Sequence, residues 1–251
     1  MALVTGAARE RGIGRGIAQC LAEEGCAVAV NDLGADADGH ALVAELRTLG
    51  VAAEYVAADV SDRSAVDALI ATVEGRLGPL DFVCSNAGVA DWQSLLDVTE
   101  ESFDRLVAVN LTGAFNVCQA ATAAMVASGR RGRIVITSSV HVQMPFPEMA
   151  VYGATKGGLK GLVETMAIEL AEHGITVNHI GPGWVRSFIN DTSPSLQTDA
   201  EVAATLTLIP AGRPADPREL GRAVVYLCSA DGEYITGEYV RVDGGFVVGK
   251  Y

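Results

Sequence analysis

Short apolar runs alternate with longer segments of helical periodicity along the whole chain. The strand-like runs lie near residues 2–5, 27–31, 53–58, 81–84, 133–137, 175–180 and 238–242. The helix-like segments, with apolar residues three and four apart, fill 13–24, 38–49, 62–76, 100–128, 152–173 and 217–229. Because strand and helix alternate without a break, the sequence predicts one α/β domain over residues 1–251, with a doubly wound parallel seven-stranded sheet and helices on both faces.

Composition narrows the partners and the compartment. The chain has 251 residues, 49% of them hydrophobic, and a formal net charge of −13, which repels nucleic acid phosphates. We find no apolar run of membrane length and no signal peptide, so no membrane partner is expected. The five cysteines are scattered without a Cys-x-x-Cys pair, and the four histidines show no metal-ligand spacing. These patterns predict a cytoplasmic protein without a metal site.

A glycine-rich turn joins the first strand to the first helix. Gly6, Gly12 and Gly14 follow the run that ends at Thr5, and helical periodicity begins at Ile13. A strand, a glycine turn and a helix in this order bring main-chain N–H groups to a pyrophosphate at the helix N-terminus. A plain strand-to-helix connection uses the same residues, so the glycines alone leave both interpretations open.

An acidic residue ends the second strand. Asp32 lies eighteen residues after Gly14, where a carboxylate accepts hydrogen bonds from both hydroxyls of an adenosine ribose. A carboxylate there repels a 2′-phosphate, and the neighbouring Leu33 supplies no compensating cation. The sequence therefore predicts NAD as the cofactor in preference to NADP.

Tyr152, Lys156 and Ser139 form the pattern with the clearest chemistry. A spacing of four residues places Tyr152 and Lys156 on one face of a helix. A nearby cation favours the phenolate and lowers the pKa of a tyrosine toward neutral pH. Ser139 lies thirteen residues before Tyr152 and adds a hydroxyl that can hold a carbonyl or alcohol oxygen. These three residues predict acid–base chemistry at a C–O centre.

Taken in order, these motifs resemble the short-chain dehydrogenase/reductase family over nearly the whole chain. The resemblance implies a Rossmann-like fold and a nicotinamide cofactor that exchanges a hydride with the substrate carbon while Tyr152 moves the proton. It implies catalytic roles for Asn110, Ser139, Tyr152 and Lys156. In that family pattern Asn110 binds a water of a proton relay, and Lys156 also bonds the nicotinamide ribose.

The same resemblance implies the residues that bind the cofactor. Asp59 and Val60 match the pair at the adenine, and Pro182, Gly183, Val185 and Ser187 match the segment at the nicotinamide. Ser85 replaces the first asparagine of the family's Asn-Asn-Ala-Gly turn. The other matching residues are Gly6, Gly12, Ile13, Gly14, Asn86, Ala87, Gly88, Tyr152, Lys156, Thr236, Gly237 and residues 242–245.

The glycine turn departs from the family pattern in length. Five residues separate Gly6 from Gly12, where the family usually has three. Enoyl-thioester reductases of the superfamily share the longer turn, but they space the tyrosine and lysine wider than four. Either Arg9 or Arg11 can meet the cofactor phosphates or face solvent. We favour solvent for Arg9, whereas Arg11 occupies a position that is basic in some NADP-dependent relatives and is predicted to bind the cofactor.

Residues 183–215 lack clear strand character and are predicted to form a lid over the substrate, with a short helical piece at 200–208. His141 and Trp184 are the candidate substrate residues. The stretches 138–158 and 177–183, with Ile189 and Asn190 soon after, resemble the bacterial glucose 1-dehydrogenase-like branch of the family, which implies a sugar or polyol substrate. Trp184, Phe188 and Ile189 instead favour an apolar pocket for a ketone or an acyl chain.

Three functions remain open at this point. The first is an NAD-dependent dehydrogenase of a secondary alcohol, sugar or polyol, and the second is an NADP-dependent 3-ketoacyl or carbonyl reductase. The third is a non-catalytic dinucleotide-binding regulator, which the intact Ser139, Tyr152 and Lys156 disfavour. The resemblance also implies a homotetramer, and the long apolar stretches of the helices at 100–128 and 152–173 agree with it.

Overall fold

One parallel sheet forms the centre of the protein. The computed structural model describes residues 1–34, 36–187, 193 and 196–249. Its seven strands lie in the order β3-β2-β1-β4-β5-β6-β7, and every neighbouring pair is parallel. They are β1 (Ala2–Val4), β2 (Val28–Asp32), β3 (Ala53–Ala57), β4 (Phe82–Ser85), β5 (Gly132–Thr137), β6 (Ile175–Pro182) and β7 (Tyr239–Val242). The predicted fold class is confirmed.

Eight α-helices accompany the sheet in the described residues. They are α1 (Ile13–Glu23), α2 (Asp36–Thr48), α3 (Arg63–Leu77), α4 (Glu100–Val107), α5 (Ala114–Ala127), α6 (Ala150–Leu170), α7 (Asp199–Thr207) and α8 (Pro217–Cys228). Side chains fix several starting points. Asp62 accepts the N–H groups of Ser64 and Ala65 at the start of α3, and Asp216 with Glu219 forms a capping box on α8.

The sheet separates two apolar cores. Successive side chains of a strand point to opposite faces, so Ala2 and Val4 face one core while Leu3 faces the other. The first core is completed by α1, α2 and α8, and the second by α3, α5 and α6. Ala2, Leu3 and Val4 are all fully buried, which places β1 in the middle of the protein.

The predicted helix over 100–128 is interrupted. A six-residue π-helical segment, Ala108–Gly113, separates α4 from α5. By length and a mean hydropathy of 1.2 alone, Glu100–Ala127 is apolar enough to cross a membrane, so the expectation that no such stretch exists is wrong. Half of its most apolar window is buried inside the protein. A core helix meets the same criteria, and Val117 and Met125 of α5 are fully buried in the second core.

The carboxyl ends of the strands share one edge of the sheet. The chain runs outward from β1 through β2 to β3 and then returns to β4 on the other side of β1. This reversal leaves a crevice between the loops that follow β1 and β4, which is where open parallel sheets bind ligands. The described part of 183–215 borders this crevice: a bridge between Val185 and Ala215 closes its base, and buried Ile209 packs with Val140 and Phe246.

Candidate active site

A cleft of about 340 Å³ opens at the carboxyl ends of the strands. Residues at the ends of all seven strands or in the segments that follow them supply its walls. Arg11, Gly12, Gly14 and Asn110 lie outside the lining. The predicted residues that line it are Gly6, Ile13, Asp32, Leu33, Asp59, Val60, Asn86, Ala87, Gly88, Ser139, His141, Tyr152, Lys156, Pro182, Gly183, Trp184, Val185 and Ser187.

The glycine turn leads straight into the N-terminus of α1. Gly6 has φ of +60°, and a Cβ on it would lie 2.6 Å from the Cα of Ala87, so glycine alone fits there without strain. A Cβ on Gly14 would lie 2.5 Å from the Gly6 carbonyl oxygen. The N-cap of α1 is Gly12, which gives no side-chain cap, and the first turn of this fully described helix holds no acidic residue. The positive end of the helix dipole is thus left for an anion.

Thr5 and Asn86 fasten the ends of β1 and β4 together. The Thr5 hydroxyl accepts the main-chain N–H groups of Asn86 and Ala87 at 3.0 and 3.1 Å. The Asn86 side chain returns the contact by donating to the carbonyl oxygens of Thr5 and Gly6 at 3.1 and 3.0 Å. These bonds fix the floor of the cleft across the switch point. The sequence pattern includes Thr5 only as the end of the first strand and does not predict this role.

Asp32 lies on the cleft wall at the end of β2. Its Oδ2 accepts the main-chain N–H of Ala8 at 3.1 Å, and its Oδ1 accepts that of Leu33 at 2.9 Å. Ala8 lies in the glycine turn, which is two residues longer than in the family pattern. The side chain of Leu33 is 68% exposed. A carboxylate therefore faces this end of the cleft, tied to the turn by its hydrogen bonds.

Asp59 and the two arginines of the turn lie near the same end. Oδ1 of Asp59 accepts the N–H and the hydroxyl of Ser61 at 2.8 and 2.7 Å. Arg9 is exposed to solvent, as predicted, but it also lines the cleft. Arg11 is exposed and lies outside the lining, because it stands at the end of the turn just before buried Gly12. The structure thus brings Arg9 rather than Arg11 to the cleft, the reverse of our preference.

Ser139, Tyr152 and Lys156 meet on the opposite side of the cleft floor. Ser139 follows β5 and is the N-cap of the short 3₁₀ segment Val140–Val142. Tyr152 and Lys156 project from the first two turns of α6. Nζ of Lys156 lies 5.5 Å from the centre of the Tyr152 ring and donates to the carbonyl oxygen of Thr137 at 3.0 Å. The predicted juxtaposition of phenol, ammonium and serine hydroxyl is present.

Burial governs the acid–base properties of this group. It raises the pKa of Tyr152 to about 12, and a hydrogen bond with Ser139 acts in the opposite direction. It also lowers the pKa of Lys156 to about 8. The sequence predicts that Lys156 lowers the pKa of Tyr152. In this structure desolvation has the larger effect, because the Lys156 ammonium is itself destabilised by burial and is directed at Thr137.

Asn110 lies in the π-helical segment, behind the cleft floor. Its Oδ1 accepts the main-chain N–H of Val89 at 2.8 Å, and its Nδ2 donates to the Val89 carbonyl and the Thr155 hydroxyl at 2.9 and 3.3 Å. A Cβ on Gly88 would lie 3.3 Å from Oδ1 of Asn110 and 3.5 Å from Nζ of Lys156. The Asn110 side chain thus holds the loop after β4 against α6. Its predicted water relay stays a prediction.

His141 lies directly beside Ser139. Its Nδ1 is 2.8 Å from Oγ of Ser139, and its main-chain N–H donates to the same oxygen at 3.3 Å. The ring packs against Tyr152 and Phe146, with centroids 5.0 and 4.7 Å apart. Burial, and then the charge of Lys156, lower the pKa of His141 to about 4, so the ring is neutral at pH 7.

The segment after β6 contributes a buried hydroxyl. Pro182, Gly183, Val185 and Ser187 all line the cleft. A Cβ on Gly183 would lie 2.8 Å from the Cα of Asp243, so the segment packs closely on the loop after β7. The Ser187 hydroxyl is buried and has no hydrogen-bond partner among the described residues. A buried polar atom without a protein partner is typical of a group that meets a ligand.

Bulky apolar side chains form the remaining wall of the cleft. Of these, sequence reasoning named only Trp184 as a substrate residue, since the others come from distant segments and carry no local signal. Phe146 and Phe246 pack with ring centroids 5.8 Å apart. Phe188, Ile189 and Asn190, expected nearby, lie outside the described residues. The apolar wall residues are Val89, Trp92, Val140, Phe146, Met149, Trp184, Leu196 and Phe246.

Comparison with known proteins shows the family to which this fold and cleft belong. Residues 6–247 match a family model described as enoyl-(acyl carrier protein) reductase. The chain is 39% identical over 244 residues to 3-oxoacyl-(acyl-carrier-protein) reductase FabG of Staphylococcus aureus, with 97% of this chain and 96% of that protein covered. It is 38% identical over 254 residues to a short-chain dehydrogenase/reductase of Armillaria gallica, with 98% and 95% covered. The chain belongs to the short-chain dehydrogenase/reductase family.

Solved structures of the short-chain dehydrogenase/reductase family superpose on the whole chain. Acetoin dehydrogenase YohF of Salmonella typhimurium has a TM-score of 0.89 at 31% identity and covers 100% of this chain and 96% of its own. Gluconate 5-dehydrogenase of Burkholderia cenocepacia, solved with NADP and tartrate, has a TM-score of 0.91 at 34% identity, with 98% and 94% covered. The protein is accordingly an oxidoreductase that acts on CH–OH groups.

Members of the short-chain dehydrogenase/reductase family use a nicotinamide dinucleotide, and the cleft fits one. The uncapped N-terminus of α1 suits a pyrophosphate, and the close approach at Gly6 and Gly14 leaves main-chain groups to meet it. The Asp32 carboxylate at one end suits ribose hydroxyls, and the buried Ser187 hydroxyl at the other suits a carboxamide. The N-terminus of α1, the Asp32 carboxylate and the Ser187 hydroxyl thus lie along one cleft and can each bind a different part of the dinucleotide.

Proposed function

We propose that the protein interconverts a secondary alcohol and a ketone with NAD, and that the substrate carries apolar carbon next to the reacting carbon. One observation supports this most: Ser139 and Tyr152 stand on a cleft whose other walls, among the described residues, are mainly aromatic and aliphatic. Such walls bind hydrocarbon and position it against the two hydroxyls. This ranks an apolar ketone or alcohol above the sugar or polyol predicted from the sequence.

The side chains divide the reaction between them. When bound, the nicotinamide takes up or supplies the hydride at the substrate carbon. Tyr152 moves the proton on the substrate oxygen, and Ser139 donates a hydrogen bond to that oxygen. The Lys156 ammonium lies 5.5 Å from the centre of the Tyr152 ring. Lys156 also lines the cleft, where it can bond a ribose hydroxyl of the cofactor. Asn110 holds the neighbouring loop in place through Val89.

The preference for NAD rests on Asp32. Two main-chain N–H groups hold its carboxylate on the cleft wall, where a 2′-phosphate would meet a like charge. Leu33, the next residue, adds no cation. The gluconate 5-dehydrogenase relative was solved with NADP, and Arg9 lines the same cleft, so the competing cofactor is a defined alternative to be measured.

The sugar or polyol substrate is the second candidate. The gluconate 5-dehydrogenase relative favours it, as does the resemblance to the glucose 1-dehydrogenase-like branch. A polyol needs a partner for each buried hydroxyl. The imidazole of His141 already bonds Ser139 through Nδ1, which leaves the described substrate side with few polar side chains. The similarity to FabG makes a 3-oxoacyl thioester a further candidate substrate.

Nicotinamide absorbance over a substrate panel tests the proposal. The panel contains aliphatic and aromatic ketones and alcohols, a 3-oxoacyl thioester, gluconate, glucose and a polyol, each with NAD(H) and NADP(H). We expect the highest kcat/KM with an apolar ketone or alcohol and NAD(H). Turnover confined to gluconate, glucose or the polyol would replace the apolar substrate with the second candidate.

Tyr152→Phe is the matched catalytic variant. It keeps the ring against His141 but removes the proton-transfer group, so kcat should fall by about 100-fold or more while nucleotide binding, followed by protein fluorescence, is unchanged. Near wild-type turnover in this variant would remove Tyr152 from the mechanism. Nucleotide binding without turnover on any substrate in wild type would favour the dinucleotide-binding regulator.

We also propose a reducing, cytoplasmic compartment. All five cysteines are free thiols in the structure, and four of them are buried. Such cysteines act as small apolar residues rather than as disulfide partners. Cys26 is the cysteine that is not fully buried. Alkylation of the protein inside intact cells, followed by mass spectrometry, should therefore find Cys26 as a reduced, alkylated thiol.

A further inference from the structure

The hydroxyl of Ser139 has several hydrogen-bond partners but only one hydrogen to donate. Its Oγ is 2.8 Å from Nδ1 of His141 and 3.3 Å from the main-chain nitrogen of the same residue. Tyr152 is its other close neighbour, and Ser139 acts to lower the pKa of the Tyr152 phenol. A serine hydroxyl has one hydrogen to donate and two positions at which it accepts. The main-chain N–H of His141 occupies one accepting position, so the contact with Nδ1 decides what the hydrogen does.

Two proton arrangements satisfy the contact with Nδ1. If Ser139 donates to Nδ1, its single hydrogen is used, and it has none left for a substrate oxygen. If Nδ1 carries the proton and donates to Oγ, both accepting positions of Ser139 are filled. The hydroxyl hydrogen must then point elsewhere, toward Tyr152 and the position of the substrate oxygen.

The other ring nitrogen distinguishes the two arrangements. Nε2 of His141 is buried and has no partner among the described residues. Under the first arrangement Nε2 carries the proton, which leaves a buried N–H without an acceptor. Under the second it is a bare nitrogen, and buried acceptors without partners are tolerated more often than buried donors. A doubly protonated ring is disfavoured by burial and by the nearby Lys156 ammonium.

We propose that His141 is a positioning residue that keeps its proton on Nδ1, donates it to Oγ of Ser139, and so directs the Ser139 hydroxyl hydrogen at the substrate oxygen. The catalytic consequence rests on the proposed alcohol–ketone interconversion, whereas the tautomer does not. The role differs from the direct substrate contact predicted for His141 from the sequence. Here His141 acts through Ser139, and its aromatic contacts with Phe146 and Tyr152 hold the ring in place.

Nitrogen NMR of histidine-labelled protein tests the tautomer without any turnover. His141→Phe assigns the signals, since the replacement removes them and keeps an aromatic ring against Phe146 and Tyr152. We expect Nδ1 to resonate as a protonated nitrogen and Nε2 as a bare one at pH 7. In Ser139→Ala the Nδ1 preference should weaken, because the acceptor is gone. Protonation of Nε2 in wild type would overturn the proposal.

Kinetics of a double-mutant cycle test the consequence. His141→Phe should lower kcat by about tenfold or more with KM changed less than about twofold, since a serine hydrogen that turns away removes part of the stabilisation of the transition state. His141→Asn, whose amide nitrogen takes the place of Nδ1, should recover most of the loss. In a Ser139→Ala background His141→Phe should cost nothing further.

The other outcomes of the cycle are equally informative. An equal loss in the Ser139→Ala background would overturn the proposal in favour of a direct substrate contact. An unchanged kcat in His141→Phe would overturn it in favour of simple packing. Absence of turnover in wild type defeats the proposed function, yet the NMR result still decides where the proton of His141 lies.

Discussion

At the scale of single residues, Asp32 sets the charge at one end of the cleft. Asp32→Asn keeps an acceptor oxygen for the Ala8 N–H and removes the negative charge. We expect wild type to prefer NAD to NADP in kcat/KM and the variant to narrow the ratio by about tenfold or more, because repulsion of a 2′-phosphate is lost. Asp38→Asn, an exposed position of α2, is the control. A wild-type preference for NADP would show that Arg9 outweighs Asp32.

His179 makes stability depend on pH. It is fully buried on β6, neither ring nitrogen has a partner among the described residues, and burial lowers its pKa to about 4. The folded pKa lies below the unfolded value of about 6.5. The stability that follows from a neutral His179 is therefore complete above pH 6.5 and is lost as pH falls toward 4, by up to about 3 kcal/mol.

His179→Phe removes the titrating group and keeps a ring beside Tyr239. The fall in the free energy of unfolding between pH 7 and pH 4.5, measured with urea, should be smaller in this variant than in wild type. It will not vanish, because His141 shifts in the same direction. Exposed His173→Gln should retain the full wild-type fall. An identical fall in His179→Phe would mean that His179 takes up its proton equally in the folded and unfolded states, and would contradict the prediction.

At the scale of elements, two glycines allow α1 and α8 to touch. A Cβ on Gly221 would lie 2.5 Å from the carbonyl oxygen of Gly16, and a Cβ on Gly16 would lie 2.5 Å from main-chain atoms of Pro217. Gly221→Ala should destabilise the protein by about 1–3 kcal/mol, because main-chain atoms must move apart. Gly75→Ala on α3, where a Cβ meets nothing within 4 Å, should instead be neutral or slightly stabilising.

Thermal unfolding of Gly221→Ala and Gly75→Ala beside wild type measures the difference. Equal melting temperatures for the two variants would show that α1 and α8 separate without cost. Because α1 also carries the glycine turn at its N-terminus, a shift of α8 should weaken nucleotide binding in Gly221→Ala and leave it unchanged in Gly75→Ala.

Local pattern predicts the elements better than it predicts their interruptions. Every strand was placed to within two residues, since buried parallel strands are short apolar runs between polar turns. The π-helical segment that holds Asn110 was missed, because a single wider turn leaves the apolar periodicity of 100–128 almost unchanged. The start of α6 at Ala150 was missed by two residues, as Ala150 and Val151 suit either a loop or a helix.

The site likewise has residues that the sequence predicts and residues that only the fold brings together. Asp32, Ser139, Tyr152 and Lys156 were found from the sequence because each stands at a fixed offset from a strand end or a helix turn. The sequence does not predict the aromatic wall, since Trp92 and Phe246 come to line one cleft only after the sheet has formed. The predicted lowering of the Tyr152 pKa is also wrong, because spacing shows that Lys156 is near but only the fold shows how deeply both side chains are buried.

At the scale of the whole molecule, exposed apolar side chains predict assembly. Ile168 on α6 is 80% exposed, Phe103 on α4 is 49% exposed and Phe115 on α5 is 43% exposed. All three lie on the helices for which the sequence predicts tetramer contacts. We expect light scattering to give four chains per particle at micromolar concentration, and Ile168→Glu with Phe115→Glu to give smaller particles, since a buried charge disfavours the contact.

Leu49→Glu is the control for assembly. Leu49 is 47% exposed just after α2, away from the predicted contacts, and its replacement should leave the particle size unchanged. A wild-type monomer would mean that the apolar stretches of α5 and α6 serve the chain's own core alone.

The position of β4 beside β1 has a consequence for the chain while it is being made. Thr5 and Asn86 are bonded to each other's loops although 81 residues separate them. After β2 has left the ribosome, one edge of β1 stays unpaired until β4 has been made. At a synthesis rate of about 5–20 residues per second, this takes roughly 3 to 10 seconds. An apolar strand with an open edge recruits strands from other chains. The nascent protein is thus open to aggregation at β1 in the interval before residue 85 emerges, and a cofactor cannot bind during this interval because the cleft floor has not yet formed.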